Sequence, residues 1–268
     1  MKKEFYYGLL GLSLTFGGLL TSCVMEEETL TKSGEATVRI ELNADAEFGT
    51  ETKAVNISDY RKKDNYTVQI LKDGEVYENH SYSYASKPDT INLPIGTIFT
   101  LKAFYGTDTL YSRTGFYVEG THSFSVTGED VVQDVSVNCE PIAGKLIAKF
   151  DSLMTTYFSD YKVVYTTSSI TGEQVTWAKE DTDPWYIKVP KGGETVTAKI
   201  ILTPKAEFDS KQTKKEVNEV YTLAPNKAWT LQIAPNYRAT NGQLGISITI
   251  DSTTVDHNID IVVPPHWL

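Results

Sequence analysis

The stretch Thr37-Val38-Arg39-Ile40-Glu41-Leu42 decides the fold class. Val38, Ile40 and Leu42 alternate with charged residues, and a period of two places them on one face of a half-buried strand. The pattern returns downstream. Tyr66 to Leu71, the turn Lys72-Asp73-Gly74-Glu75 and then Val76-Tyr77 read as a hairpin, with Asp-Gly supplying the turn. Ile91 to Leu93, Thr97 to Tyr105, Ser123 to Val126 and Val131 to Cys139 complete a first set of strands. Residues 43–59 lack periodicity and read as a long loop.

A second set follows: Lys145 to Phe150, Tyr161 to Thr167, Glu173 to Ala178, Trp185 to Val189, Thr195 to Thr203, Val217 to Leu223, Ala228 to Ile233, Leu244 to Ile250 and Ile259 to Val263. Gly, Pro, Asn and Asp punctuate these runs. Many short strands at such spacing predict an all-β chain built of Ig-like β-sandwiches. One short helix is expected, over Ser152 to Ser159 in the second set. Asp151 or Ser152 would cap it, and Leu153, Met154, Tyr157 and Phe158 fall at helical spacing.

The two sets echo one another. Ile91-Asn92-Leu93-Pro94-Ile95-Gly96 leads into Thr100 to Phe104, and Ile187-Lys188-Val189-Pro190-Lys191-Gly192 leads into Val196 to Ile200. Gly144-Lys145-Leu146 running on to Asp151 is matched by Gly242-Gln243-Leu244 running on to Asp251, and loosely by Gly34 ahead of the first strand. Two tandem sandwiches, 34–140 and 141–268, dividing near Glu140-Pro141, explain the echoes economically.

Ahead of the strands lies a targeting segment. Lys2 and Lys3 precede an apolar stretch from Phe5 to Leu20, which ends in Leu20-Thr21-Ser22-Cys23. A cationic start, a short apolar run and small residues before a cut describe a secretory signal over residues 1–22. Leu, two small residues and Cys resemble the lipobox of bacterial lipoproteins, which implies acylation of Cys23 and a membrane partner through that anchor. Residues 23–33 then read as a polar tether. Glu26, Glu27 and Glu28 resemble the surface-export signal of Bacteroidota lipoproteins, and a solvated linker start is the plainer alternative. The outer membrane is the expected location, on the cell surface or on its periplasmic side.

Composition limits what the folded part does. The 268 residues are 40% hydrophobic, enough to fill a core, and 16 Tyr and 10 Phe favour strands. The net charge of −10, with no basic run, speaks against nucleic acid, which needs a positive footprint. Only Cys23 and Cys139 are present, so an acylated Cys23 leaves no intramolecular disulfide. Cys139, ending a strand-like run, reads as a small buried hydrophobe.

No catalytic or metal motif stands out. His80, His122, His257 and His266 show no i, i+4 pair and no Cys/His cluster, and neither a Gly-x-Ser-x-Gly elbow nor a P-loop or dinucleotide fingerprint occurs. Asp181-Thr182-Asp183 offers calcium-type carboxylates but lacks the Gly and distal Glu of an EF-hand loop, and a polar turn is the competing reading. No metal or other cofactor is expected. Trp177, Trp185, Trp229 and Trp267 all lie in the second half; Trp177 and Trp229 are expected in the core, and Trp267 is open. Exposed tryptophans would instead suit sugars or protein hot spots.

Several segments together resemble a family. Phe99 to Gly106, Phe116-Tyr117-Val118-Glu119-Gly120, Asn138-Cys139, Phe158-Ser159-Asp160-Tyr161 and the ending Ile261-Val262-Val263-Pro264-Pro265-His266-Trp267 are similar to a Bacteroidota lipoprotein family known chiefly as a domain of unknown function. That family resembles fimbrillin-type proteins, with two transthyretin-like sandwiches behind a lipobox. The resemblance implies surface display and pilus or adhesin work, with other surface or pilus proteins as partners, and it transfers no catalytic residue. Arg39 is either a cleavage point for a trypsin-like protease, opening a groove for strand donation, or an outward-facing strand arginine. Asp89-Thr90-Ile91, Asp108-Thr109-Leu110, Asp151-Ser152-Leu153 and Asp251-Ser252-Thr253 resemble the O-glycosylation triplets of exported Bacteroidota proteins, making Thr90, Thr109, Ser152 and Ser252 candidate acceptors. The expectation is a lipid-anchored, non-catalytic surface protein of structural or adhesive type. A surface glycan-binding lipoprotein for nutrient capture is the first alternative, and a hydrolase with a deep pocket the second.

Overall fold

The computed structural model describes residues 34–45, 48, 55–128, 132–238, 243–252 and 261–262. They are all-β, with three sheets of seven, four and six strands and two short α-helices. The seven-stranded sheet contains β1 (Glu35–Ala44), β2 (Thr67–Lys72), β3 (Glu75–Ser83), β4 (Ile91–Pro94), β5 (Ile98–Tyr105), β7 (Val118–Ser125) and β8 (Gln133–Pro141), in the order β3-β2-β5-β7-β8-β1-β4. The short β6 (Tyr111–Ser112) leaves this group and joins the six-stranded sheet. That sheet also holds β9 (Ala143–Phe150), β12 (Trp185–Lys188), β15 (Ala228–Arg238), β16 (Gln243–Ser252) and β17 (Ile261–Val262), in the order β17-β16-β15-β9-β12-β6. The four-stranded sheet is β11-β10-β13-β14, from β10 (Phe158–Thr166), β11 (Val175–Ala178), β13 (Glu194–Pro204) and β14 (Lys215–Leu223).

Alternation in sequence becomes burial in space. Val38, Ile40 and Leu42 of β1 are all buried, while Arg39 and Glu41 are not. The β2–β3 hairpin turns at Asp73 and Gly74, with φ of 53° and 89°. Both central residues thus take the left-handed conformation that a two-residue hairpin turn requires. β3 runs to Ser83, well beyond Tyr77: its register on β2 breaks around Glu78 and Asn79, both of positive φ, and Ser81, Tyr82 and Ser83 rejoin the ladder.

The Pro-x-Gly echo, and that between the strands after Gly34 and from Gly144, correspond to repeated topology, whereas β16, which carries Gln243 and Leu244, has no counterpart in the first set. The run β3-β2-β5-β7 has the same order as β11-β10-β13-β14, and β4-β1-β8 the same order as β12-β9-β15. Directions match as well: β1 is antiparallel to β4 and parallel to β8, and β9 is antiparallel to β12 and parallel to β15. The Pro-x-Gly turns at Pro94 and Pro190 lead from β4 into β5 and from β12 into β13. Apolar side chains gather into two clusters. One is filled by β1, β2, β4, β5, β7 and β8 and the other by the later strands, except that Ala143 and Tyr186 turn back into the first. Tyr186 lies 4.9 Å from Phe116 and 5.5 Å from Phe48, ring centre to ring centre.

Arg113, next to β6, strengthens the link between the two sets of strands. Its guanidinium donates to the carbonyls of Asp183 (2.9 Å) and Thr176 (2.7 Å) and to the Asp181 carboxylate (2.5 Å). It also sits 4.3 Å over the Trp185 ring, a cation–π arrangement in which the planar fork and the indole share one stack.

Two expectations are corrected. The 43–59 loop gives way at Ile57 to a helix, α1 (Ile57–Arg61), and a 3-10 turn follows at Lys63–Asn65. Asn56 caps α1 by accepting from Ser58 N at 3.1 Å. Five residues are too few for periodicity to register. The helix expected over Ser152 to Ser159 shrinks to α2 (Met154–Tyr157), because Phe158 is extended and begins β10, paired with Pro204. Backbone bonds to β13 outweigh the local helical spacing there. The helical content is therefore not confined to the second half.

Candidate functional site

Cys23 and Glu26, Glu27 and Glu28 lie outside the described residues, as do His257, His266 and Trp267. Thr90, Thr109 and Ser152 are exposed and sit between regular elements; the side chain of Ser252, at the end of β16, is outside the described residues. The structure does not bring these hydroxyls together as one site.

The remaining expected residues fall into structural roles. Cys139 is buried, its thiol donates to the Ala103 carbonyl (3.7 Å), and burial pushes its pKa up to about 12. Such a thiol holds its proton and is a poor nucleophile at neutral pH. Asp181 accepts from Arg113 and from Ala178 N, so its carboxylate closes a turn. Among the described residues no group of three or more His, Cys, Asp or Glu is placed to hold a metal ion. Arg39 points outward and pairs with Asp134 at 3.2 Å. Trp177 is in the core, but Trp229 is only half-buried, which corrects its expected place. Its ring packs on Tyr221, and its Nε1 donates to the Thr222 carbonyl (3.0 Å), so the indole straddles a sheet edge.

A cleft that periodicity did not flag opens where β2 begins and β5 ends. Its volume is about 600 Å³. It is lined by Tyr60 of α1 with Asn65 and Thr67, by Phe104, Tyr105 and Gly106 at the end of β5, and by Thr107 and Thr109 of the β5–β6 connection, Ser112 of β6 and Thr114 of the turn after it. Among the described residues, no Asp, Glu, Lys, Arg or His lines it. These residues come from two segments some forty positions apart, so only the fold assembles them. The one hint in sequence is the hydroxyl-rich run from Thr107 to Thr114.

The walls are held from behind. Tyr60 is buried and stacks on Phe116 at 3.9 Å, and its Oη accepts from Phe116 N at 3.1 Å. Burial, opposed by that bond, raises the Tyr60 pKa. Tyr66 donates its hydroxyl proton to the Tyr60 carbonyl at 2.6 Å, and Tyr105 packs edge-on against Tyr60 at 4.9 Å. A Cβ on Gly106 would lie 2.0 Å from the Phe116 carbonyl oxygen, so only glycine lets the connection close here. A second cleft, of about 620 Å³, lies beside Leu110, Ser169, Val189 and Pro190, with Lys188 and Glu194 adding charge.

The structure is similar to several solved ones. A protein from Bacteroides eggerthii to which cell adhesion has been ascribed shares 13% identity over 81% of this chain and 96% of its own, with a TM-score of 0.46. The fimbrial anchor protein Mfa2 from Porphyromonas gingivalis shares 11% over 84% and 99%, with a TM-score of 0.43. A fimbrial assembly protein from Parabacteroides distasonis shares 8% over 85% and 99%, with a TM-score of 0.42. A comparison with curated proteins gave no match. Residues 34–265 match the domain of unknown function DUF4493, nearly the whole span from the first strand onward, and the chain belongs to that family.

Proposed function

We propose that this chain is a lipid-anchored, surface-displayed protein of structural or adhesive type, without catalytic activity. The observation that carries the proposal is the lipobox-like Leu20-Thr21-Ser22-Cys23 behind a cationic and apolar leader, followed closely by a β-scaffold whose first strand starts at Glu35. Acylation of Cys23 anchors the chain, since each buried CH₂ contributes about 0.8 kcal/mol and several chains on one residue make release slow. Residues 24–33 span at most about 35 Å when extended, at roughly 3.5 Å per residue. Glu26, Glu27 and Glu28 direct the anchored protein outward. Stacked sheets hold their loops rigidly, which suits display to other surface or pilus proteins.

The repeated strand order supports treating 34–140 and 141–268 as two related sandwiches. The exposure of Thr90 and Ser152 supports assigning them, with Ser252, as O-glycan acceptors, whereas Thr109 lines the cleft of about 600 Å³.

Metabolic labelling with an alkynyl fatty acid tests the anchor. Label on the wild type and none on Cys23→Ala is expected. Equal labelling of both, or of neither, overturns it.

A further inference from the structure

The cleft between α1 and the β5–β6 connection is not used by the proposed anchor. Its lining combines hydroxyls, a carboxamide and aromatic rings without any formal charge. The hydroxyls of Thr67, Thr107 and Thr109 have no protein partner among the described residues, and the Asn65 amide is steadied by donating to the Asp59 carbonyl at 2.8 Å. We propose that this cleft binds a neutral carbohydrate, a short segment of a glycan chain.

The chemistry selects that class over others. A sugar presents apolar C–H faces and hydroxyls that both donate and accept. Half-exposed rings such as Phe104 and Tyr105 match the first, and threonine, serine and asparagine side chains match the second. An anionic ligand calls for Arg or Lys and a metal cation for carboxylates, and the described lining has neither. A wholly apolar ligand would strip water from the threonine hydroxyls and leave them unpaired. The volume of about 600 Å³ lies within the usual range for small-ligand sites. The cleft is also prebuilt: the Tyr60–Phe116 stack, the Phe116 N bond to Tyr60 Oη and the Ser112–Thr114 contact of 3.3 Å fix its walls, so little ordering is left for the ligand to induce.

Binding at this cleft does not depend on surface display, so the test stands apart from that of the anchor. Full-length protein purified in detergent is run on native gels containing yeast mannan, soluble starch or xylan, with polygalacturonate as the anionic control. At least one neutral polysaccharide is expected to retard the wild type. Thr107→Arg, an exposed change that blocks the cleft with bulk and charge, should weaken that retardation by about tenfold or more. Tyr105→Ala should weaken it too, with its thermal melting recorded alongside. Ser169→Arg, in the second cleft, should leave it unchanged. Retardation by none of the neutral polymers, retardation by polygalacturonate alone, or equal retardation of Thr107→Arg and wild type overturns the proposal.

Discussion

The first and second sets of strands follow one order but finish differently. In the first, β7 reaches β8 through two residue pairs, Val118 with Pro141 and Glu119 with Glu140, so two layers join into one seven-stranded sheet. In the second, β14 pairs only with β13 among the described strands, and β15 takes β16 as its further neighbour. The two corners differ locally in side-chain size. Gly120 in β7 lies so close to β8 that a Cβ there would be 2.2 Å from the Asn138 carbonyl oxygen. β14 has no glycine, and its Thr222 carbonyl accepts from the Trp229 indole. The same strand order thus gives a closed corner where backbones can touch, and an open one where a tryptophan bridges the gap.

The largest expected effect comes from breaking the closed corner. Gly120→Ala drives a methyl into backbone, which cannot swing aside, and should destabilise by about 4 kcal/mol or prevent folding. Gly144→Ala, in β9, meets the Leu223 side chain at 2.3 Å. A side chain can repack, so a smaller loss of about 1–3 kcal/mol is expected. Chemical denaturation of both variants checks the order, and equal losses would remove the distinction between backbone and side-chain contact.

Arginine pairs give a second comparison. Arg113 is largely sheltered, with 22% of its side chain exposed, and makes three hydrogen bonds and a stack; Arg39 has 48% exposed and makes one ion pair. Arg113→Ala should cost about 2–3 kcal/mol, because carbonyls and a carboxylate lose charged partners. Arg113→Lys should recover only part of this, as an ammonium cannot reproduce the fork. Arg39→Ala should cost under about 1 kcal/mol. Urea titration at two salt concentrations separates them, with the Arg39 effect fading at high salt.

The effect confined to high pH concerns Cys139. Burial raises its pKa from near 9 to about 12 in the folded state. The folded protein therefore binds more protons than the unfolded between those values. The stability from this group is fully present below pH 9 and is lost as pH rises towards 12. Iodoacetamide at pH 8 should leave native Cys139 unmodified and alkylate it rapidly in denaturant; fast alkylation of the native protein would contradict its burial.

The strands were legible because a sheet with one buried face imprints a period of two on sequence, as in Val38, Ile40 and Leu42. The Pro-x-Gly turns marked the repeat for the same local reason. What escaped was set by distant partners. β6 is two residues whose ladder lies on β12, and neither residue type forecasts that pairing. Phe158 has helical spacing to Met154 but is claimed by β13. The carbohydrate cleft joins Asn65 and Thr67 to residues after Phe104, and Trp229 misled because aromatic size suggests burial while its N–H was spent at a sheet edge. Cys23, by contrast, rests wholly on a linear signal, which sequence carries without help from the fold.

Anchored surface display is tested most directly by labelling intact cells with a membrane-impermeant biotin reagent, for wild type and Cys23→Ala, beside a periplasmic control protein. Labelled wild type in the membrane fraction, an unlabelled control, and a variant that leaves the membrane fraction are the predicted results. A wild type shielded from the reagent, or a Cys23→Ala variant retained and labelled like wild type, would contradict it.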